Sequence, residues 1–435
     1  MTRRAVITLV SISLIAAACI GGVTPPPSPE SSSSRTAPTN KGSAAAARRN
    51  LCDVPDQTPP PGGSFEGATP HAVTEVERQV EQVRELRYTA SIPVEAVTPE
   101  GIARRIARTF DQTYPKDLYA RRSRAWSTMG LIPPGSSLRH ELQTFLEGDV
   151  AGFYVPENGR LVFVGSFPLS PASHVALAHE LTHALDDQHF RLDRLDPLLE
   201  KCADEREQAA LGAVEGSAQF FSAEVALKFL SASEKLQLSG EAGAGSAQPL
   251  DVPAFVENMV LWPYRAGPAF ISALMSSGGI EAVNEAIRRF PVSTEQVMHP
   301  QRYPGDVPTR VDIPDLGPLL GPDWNDLDVS DVGEAFLDLM LRLRLDPDRA
   351  DAAAAGWDGG IYRAWTDGAR VAVVMSTVWD TDADAREFAQ TMSDWIDAGD
   401  LDAVVTRTQG NRSIALFARD EEALRSLERA ALQGT

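Results

Sequence analysis

The segment "AHELTHALDDQHF", residues 178–190, gathers His179, Glu180, His183, Asp186, Asp187 and His189 into one short run of an Ala- and Leu-rich region. On a helix, positions i and i+4 share a face one turn apart, so His179 and His183 can direct two imidazoles at one ion. Glu180, next to the first histidine, can reach a water on that ion and take its proton as the water attacks a carbonyl. H-E-x-x-H therefore reads as a zinc hydrolase pattern, with Zn2+ as the cofactor and Glu180 as general base. The competing reading is the polar face of an ordinary helix.

A catalytic zinc takes three protein ligands, so a third must be found. Asp186 is too short and too near for regular helix geometry, and His189 lies past the expected helix end. Glu215 is the better candidate. It is the only charged residue between Glu207 and Glu224, in "QAALGAVEGSAQFFSA", and a lone acid on so apolar a helix needs a partner when buried. Gly212, Ala213, Gly216 and Ser217 give that helix a small-residue face, which would let it approach the H-E-x-x-H helix closely. Asp187, one turn past His183, is a candidate acceptor for that ligand's other ring N–H. Asp186 is expected to be solvated. Hydrolysis also needs a donor for the developing oxyanion. His299, Tyr264, Arg265 and Tyr303 could each serve, with His299 placed first; its other reading is support of a Pro-rich loop. His71, His140 and His174 read as structural or surface.

The elements that position these residues follow from periodicity. Residues 68–151 repeat Val or Leu at helical spacing, as in "HAVTEVERQVEQVRELR". "GFYVPENGRLVFVG", 152–165, changes to two β-rich runs around Asn158-Gly159, a hairpin signal. Its edge could take an extended peptide as an added strand, or the hairpin could merely cover the core. Helices follow from about 203 to 230 and in a pair broken at "SSGG". The last hundred residues read as a separate module, with alternating strands around Asp367-Gly368, a helix, two more strands and a final helix.

The N-terminus carries two arginines, an apolar run from Ala5 to Ala18, and Cys19. The run is short for a membrane span and resembles a lipoprotein signal, in which Cys19 is lipidated. That implies attachment to the outer face of a bacterial cytoplasmic membrane, or secretion. Residues 20–64, rich in Pro, Ser and Ala, are expected to be a disordered tether. Cys52 and Cys202 remain as a candidate disulfide pair. Forty Lys and Arg against sixty Asp and Glu give a net charge of −20, which argues against nucleic acid as a partner.

"AHELTHALDDQHF" followed by "AVEGSAQF" resembles the zincin metallopeptidases, in the gluzincin arrangement of H-E-x-x-H with a downstream Glu. The longer pattern, from "GFYVPENGRLVFV" through "PYRAGPAFISAL" to "STEQVMHP", is similar to a little-characterised group of bacterial secreted metallopeptidases. The resemblance covers roughly residues 70–305. It implies His179, His183 and Glu215 as metal ligands, Glu180 as general base, and a peptide or protein substrate. One departure stands out: the interval from His183 to Glu215 is longer than in the best-known gluzincins, and no N-E-x-x-S-D motif surrounds the Glu.

The expected architecture is α+β: a signal peptide (1–19), the tether (20–64), a mainly helical zincin-like domain with a small sheet (65–325), and a C-terminal α+β domain (326–435). The leading expectation is a tethered zinc metallopeptidase. The rivals are an inactive zincin-like scaffold that binds another envelope protein, and a zinc hydrolase of a non-peptide amide.

Overall fold

A computed structural model describes residues 9–12, 44–52, 71–98, 100–101, 116–155, 159–164, 167–195, 198, 203–244, 251–407 and 410–434. Cys19, Cys202, most of "TPEGIARRIARTFDQTY" and residues 20–43 and 53–64 of the expected tether lie outside these. The fold is α+β, mainly helical, with two sheets. No helix among the described residues is long and apolar enough to cross a membrane.

The first sheet has the order β1-β3-β4-β2, from β1 (Leu9–Ile12), β2 (Val94–Val97), β3 (Val150–Val155) and β4 (Arg160–Val164). β3 and β4 form the expected hairpin, with Gly159 at φ 62° in the turn. A left-handed φ costs glycine nothing, which is why Asn-Gly marks such turns. β2 adds in parallel to β4, and β1 pairs antiparallel with β3, setting Ser11 opposite Gly152.

The H-E-x-x-H helix runs from Pro171 to Phe190. Ser170 caps it, its hydroxyl accepting from Ser173 N at 3.1 Å, and Pro171 stands at the first helical position, where a missing N–H costs nothing. Arg191 ends it at φ 61°. Leu177 to Asp186 are all buried, because the sheet packs on one side and the helix Asp204–Phe229 on the other.

The Asp204–Phe229 helix also crosses Ala254–Arg288, which is broken at Gly279 as the "SSGG" signal predicts. Here the glycines act differently from expectation. Gly216 faces Gly267, not the H-E-x-x-H helix: a Cβ on Gly216 would stand 2.4 Å from the Gly267 carbonyl carbon, and one on Gly267 2.2 Å from Gly212 O. The two backbones touch, leaving no room for any side chain at the crossing.

The C-terminal sheet is antiparallel in the order β5-β6-β7-β9-β8, from β5 (Asn325–Asp331), β6 (Trp357–Thr366), β7 (Val371–Trp379), β8 (Asp402–Arg407) and β9 (Arg412–Ala418). Alternation along β6 sends Tyr362 and Ala364 into one core and Ile361 and Trp365 into another. The helices Glu334–Leu341 and Asp382–Asp397 cover the first face, and Glu421–Gly434 the second.

Two findings change the expected division of the chain. Residues 44–52, expected within the disordered tether, form a helix whose Ala44, Ala47 and Cys52 are buried in the second core. Alanines at i and i+3 offer the sheet a flat apolar face, and Arg48 fixes the helix through Asp331, Nη1 to Oδ2 at 2.9 Å. Cys52 is disulfide-bonded; its expected partner precedes Ala203, which lines one cavity with Cys52. Second, the division near 325 is not a break in packing. Ala125, Met129 and Phe255 belong to the core of the C-terminal sheet, and Arg122 ties Asp204 (2.8 Å) to Asp328 (3.3 Å).

Candidate metal centre

Three side chains from two helices meet in the buried space between them. His179 Nε2 lies 3.1 Å from Glu215 Oε2, His183 Nε2 lies 3.3 Å from the same oxygen, and the two Nε2 atoms are 3.1 Å apart. His179, His183 and Glu215 are 3%, 0% and 2% exposed. A tetrahedral site with ligands about 2.0–2.1 Å from the ion has ligand-to-ligand edges of about 3.3 Å. The three observed edges fit a face of that tetrahedron. Three lone-pair donors converging on one point need a cation or protons to hold them together. His179, His183 and Glu215 form a group that can bind a metal ion.

The electrostatics agree. Burial pushes the Glu215 carboxyl up, but His183 and His179 together draw it down to about 2. The site holds a carboxylate where an apolar helix would otherwise exclude one.

Glu180 is fully buried beside the first ligand. A Cβ on Gly152 would stand 3.0 Å from its Cγ and 3.2 Å from Oε1, so the bare backbone of β3 lies directly against the acid.

Tyr264 completes the cluster. Its ring stacks on His179, centroids 6.4 Å apart at 22°, and its hydroxyl hydrogen-bonds Glu215. Burial first, then the charges of Glu215 and Glu180, push this phenol well above its usual value, so it remains a neutral donor. The Gly216–Gly267 contact explains its place. Glu215 precedes the first glycine, and Tyr264 sits three residues, nearly one turn, before the second.

The other candidate donors go elsewhere. His299 Nε2 pairs with Glu334 Oε1 at 2.8 Å, at the junction with the C-terminal sheet, and that contact raises the imidazole's pKa. Arg265 reaches Asn258 and Tyr303 reaches the carbonyl of Arg289.

Both aspartates of the motif differ from expectation. Asp187 does not reach His183; it accepts from Tyr154 OH at 2.9 Å and Leu192 N at 2.8 Å, closing the helix end. His183 Nδ1 has no acceptor among the described residues. Asp186 is buried rather than solvated, accepting from Arg84 Nε and Ser217 Oγ, both at 2.8 Å. Arg84 also reaches Asn284 at 2.6 Å and lies over the Phe221 ring. This clamp joins four helices behind the ligands. Nothing in the sequence marked it, because Arg84 sits in an ordinary amphipathic pattern.

A domain of unknown function (DUF8575) matches residues 324–426, the stretch that builds the C-terminal sheet. No curated protein and no solved structure matches the chain.

Proposed function

We propose that this chain is a zinc-dependent metallopeptidase of the zincin kind, acting outside the cytoplasmic membrane. The observation that carries this reading is the convergence of His179, His183 and Glu215, with Glu180 packed against the backbone of β3 at Gly152. Zinc fits the donor set of two imidazoles and a carboxylate, and when bound it supplies Lewis acidity and lowers the pKa of water.

The chain's own residues do the rest. Glu180 accepts the proton of the attacking water and passes it to the leaving amine. Tyr264 holds Glu215 through its hydroxyl and packs on His179, fixing both ligands. β3 aligns an extended peptide by main-chain hydrogen bonds, a reading supported by the segment Leu9–Ile12 paired along that same edge. Loss of residues 1–18, as the signal-like sequence with Cys19 as mature N-terminus implies, removes that paired segment and leaves the edge open.

The test measures zinc per chain after chelation and reloading, and hydrolysis of extended peptides, for the mature protein and its Glu215→Ala and Glu180→Gln variants. One zinc in the parent and Glu180→Gln, much weaker binding in Glu215→Ala, and hydrolysis only by the parent is the expected pattern. No zinc in the parent removes the reading. Zinc without hydrolysis of any peptide leaves a metal-binding scaffold instead.

A further inference from the structure

A cavity of about 730 Å3, none of whose lining residues is a metal ligand, lies where the helix Ala44–Cys52 closes over the junction of the two halves. Its volume is that of a small-molecule site, and such sites favour domain junctions. Much of the wall is apolar, from Ala44, Val292, Val307, Val311 and Ile361.

Its polar groups are unevenly matched. The lining acids are already engaged: Asp331 by Arg48, Asp312 by Ala44 N at 2.7 Å, and Glu205 by Thr294 Oγ1 at 2.8 Å. Burial pushes the Glu205 carboxyl up to about 8, so it is mostly neutral at pH 7. Donors remain over. Trp357 Nε1 is buried without an acceptor, against Gly360, and both residues line the cavity. Arg48 Nε is likewise unmatched. Arg206 and Arg310 stand exposed at the rim with no acidic partner among the described residues. Besides Glu205, three guanidinium groups thus face two aspartates, in a chain of net charge −20.

Unmatched buried donors cost free energy until an acceptor arrives. We infer that this cavity binds a small apolar molecule with an anionic head, a carboxylate or a phosphate monoester, whose oxygens meet these donors while its body lies along the apolar wall. The site is independent of the metal centre and of the activity proposed for it.

Calorimetric titration of the full chain with octanoate, octyl phosphate, 1-octanol and octylamine tests this. At least one of the two acids should bind saturably and at least tenfold more tightly than octanol, with no binding of octylamine. The stronger acid identifies the head group. Arg206→Ala combined with Arg310→Ala, both surface changes, should weaken that binding at least tenfold; Trp357→Phe should weaken it with circular dichroism unchanged. Absence of saturable binding by both acids, octanol binding as tightly as either, or affinities unchanged in the arginine variant would overturn the inference.

Discussion

Glu180 and Glu215 lie near the same two imidazoles, yet their substitutions should separate cleanly. Glu180→Gln keeps the shape and the ligands but cannot take a proton, so hydrolysis should fall by roughly 10²–10⁴-fold with zinc content unchanged. Tyr264→Phe removes only the hydroxyl that reaches Glu215. Competition with a chelator should show zinc affinity lowered by about 10–100-fold, the usual effect of losing a group that orients a ligand; unchanged affinity would deny Tyr264 that role. The group that can hold a metal was legible in the sequence because its signals are local: a four-residue spacing, and one acid alone in an apolar run. Tyr264 was one of four candidates, since only a helix crossing some fifty residues downstream sets it beside Glu215. His299 was placed first for the same want of information. Its partner, Glu334, comes from the next module.

Among elements, the crossing of Asp204–Phe229 with Ala254–Arg288 controls the site without touching it chemically. Gly267→Ala would press a methyl into the Gly212 carbonyl, so the helices must part. Overpacking of this kind costs roughly 1–3 kcal/mol. Denaturant unfolding should show that loss, together with weaker zinc binding as Tyr264 moves off Glu215. The clamp behind the ligands is more severe: Arg84→Ala strands a buried Asp186 carboxylate, at a cost of roughly 3–5 kcal/mol. The small-residue pattern around Glu215 was readable as a close approach, but not its direction, because composition does not say which neighbour a face meets. β1 makes a prediction about access. A chain without residues 1–18 should hydrolyse extended peptides faster than the full chain, at equal zinc content; equal rates would show that the β3 edge is not where substrate lies.

Over the whole molecule, the two halves are joined by buried carboxyls. Glu205 is raised from its ordinary value of 4.5 to about 8 by burial, and its folded form favours the proton. The stability it contributes is therefore complete below about pH 4.5 and is lost as pH rises through about 8. Melting temperatures should fall between about pH 5 and pH 8, and Glu205→Gln should flatten that slope; an equally steep slope in the variant would place the dependence elsewhere. The C-terminal sheet was legible from its alternation, since a period of two survives whatever packs on it. The helix Ala44–Cys52 was not, because "AAAARRNLC" is indistinguishable from its low-complexity surroundings until Asp312 and Asp331 are in place.

That helix also imposes an order in time. Residues 44–52 are made long before their seat: the helix packs on β5, with Ala44 on Asp312 and Arg48 on Asp331, so its place exists only once the chain has been made as far as Asp331. Pairing across so long a stretch of chain is slow, and the early helix must wait without that partner while about 280 residues follow it. A segment near the start of the chain thus finds its place only after most of the chain has been made.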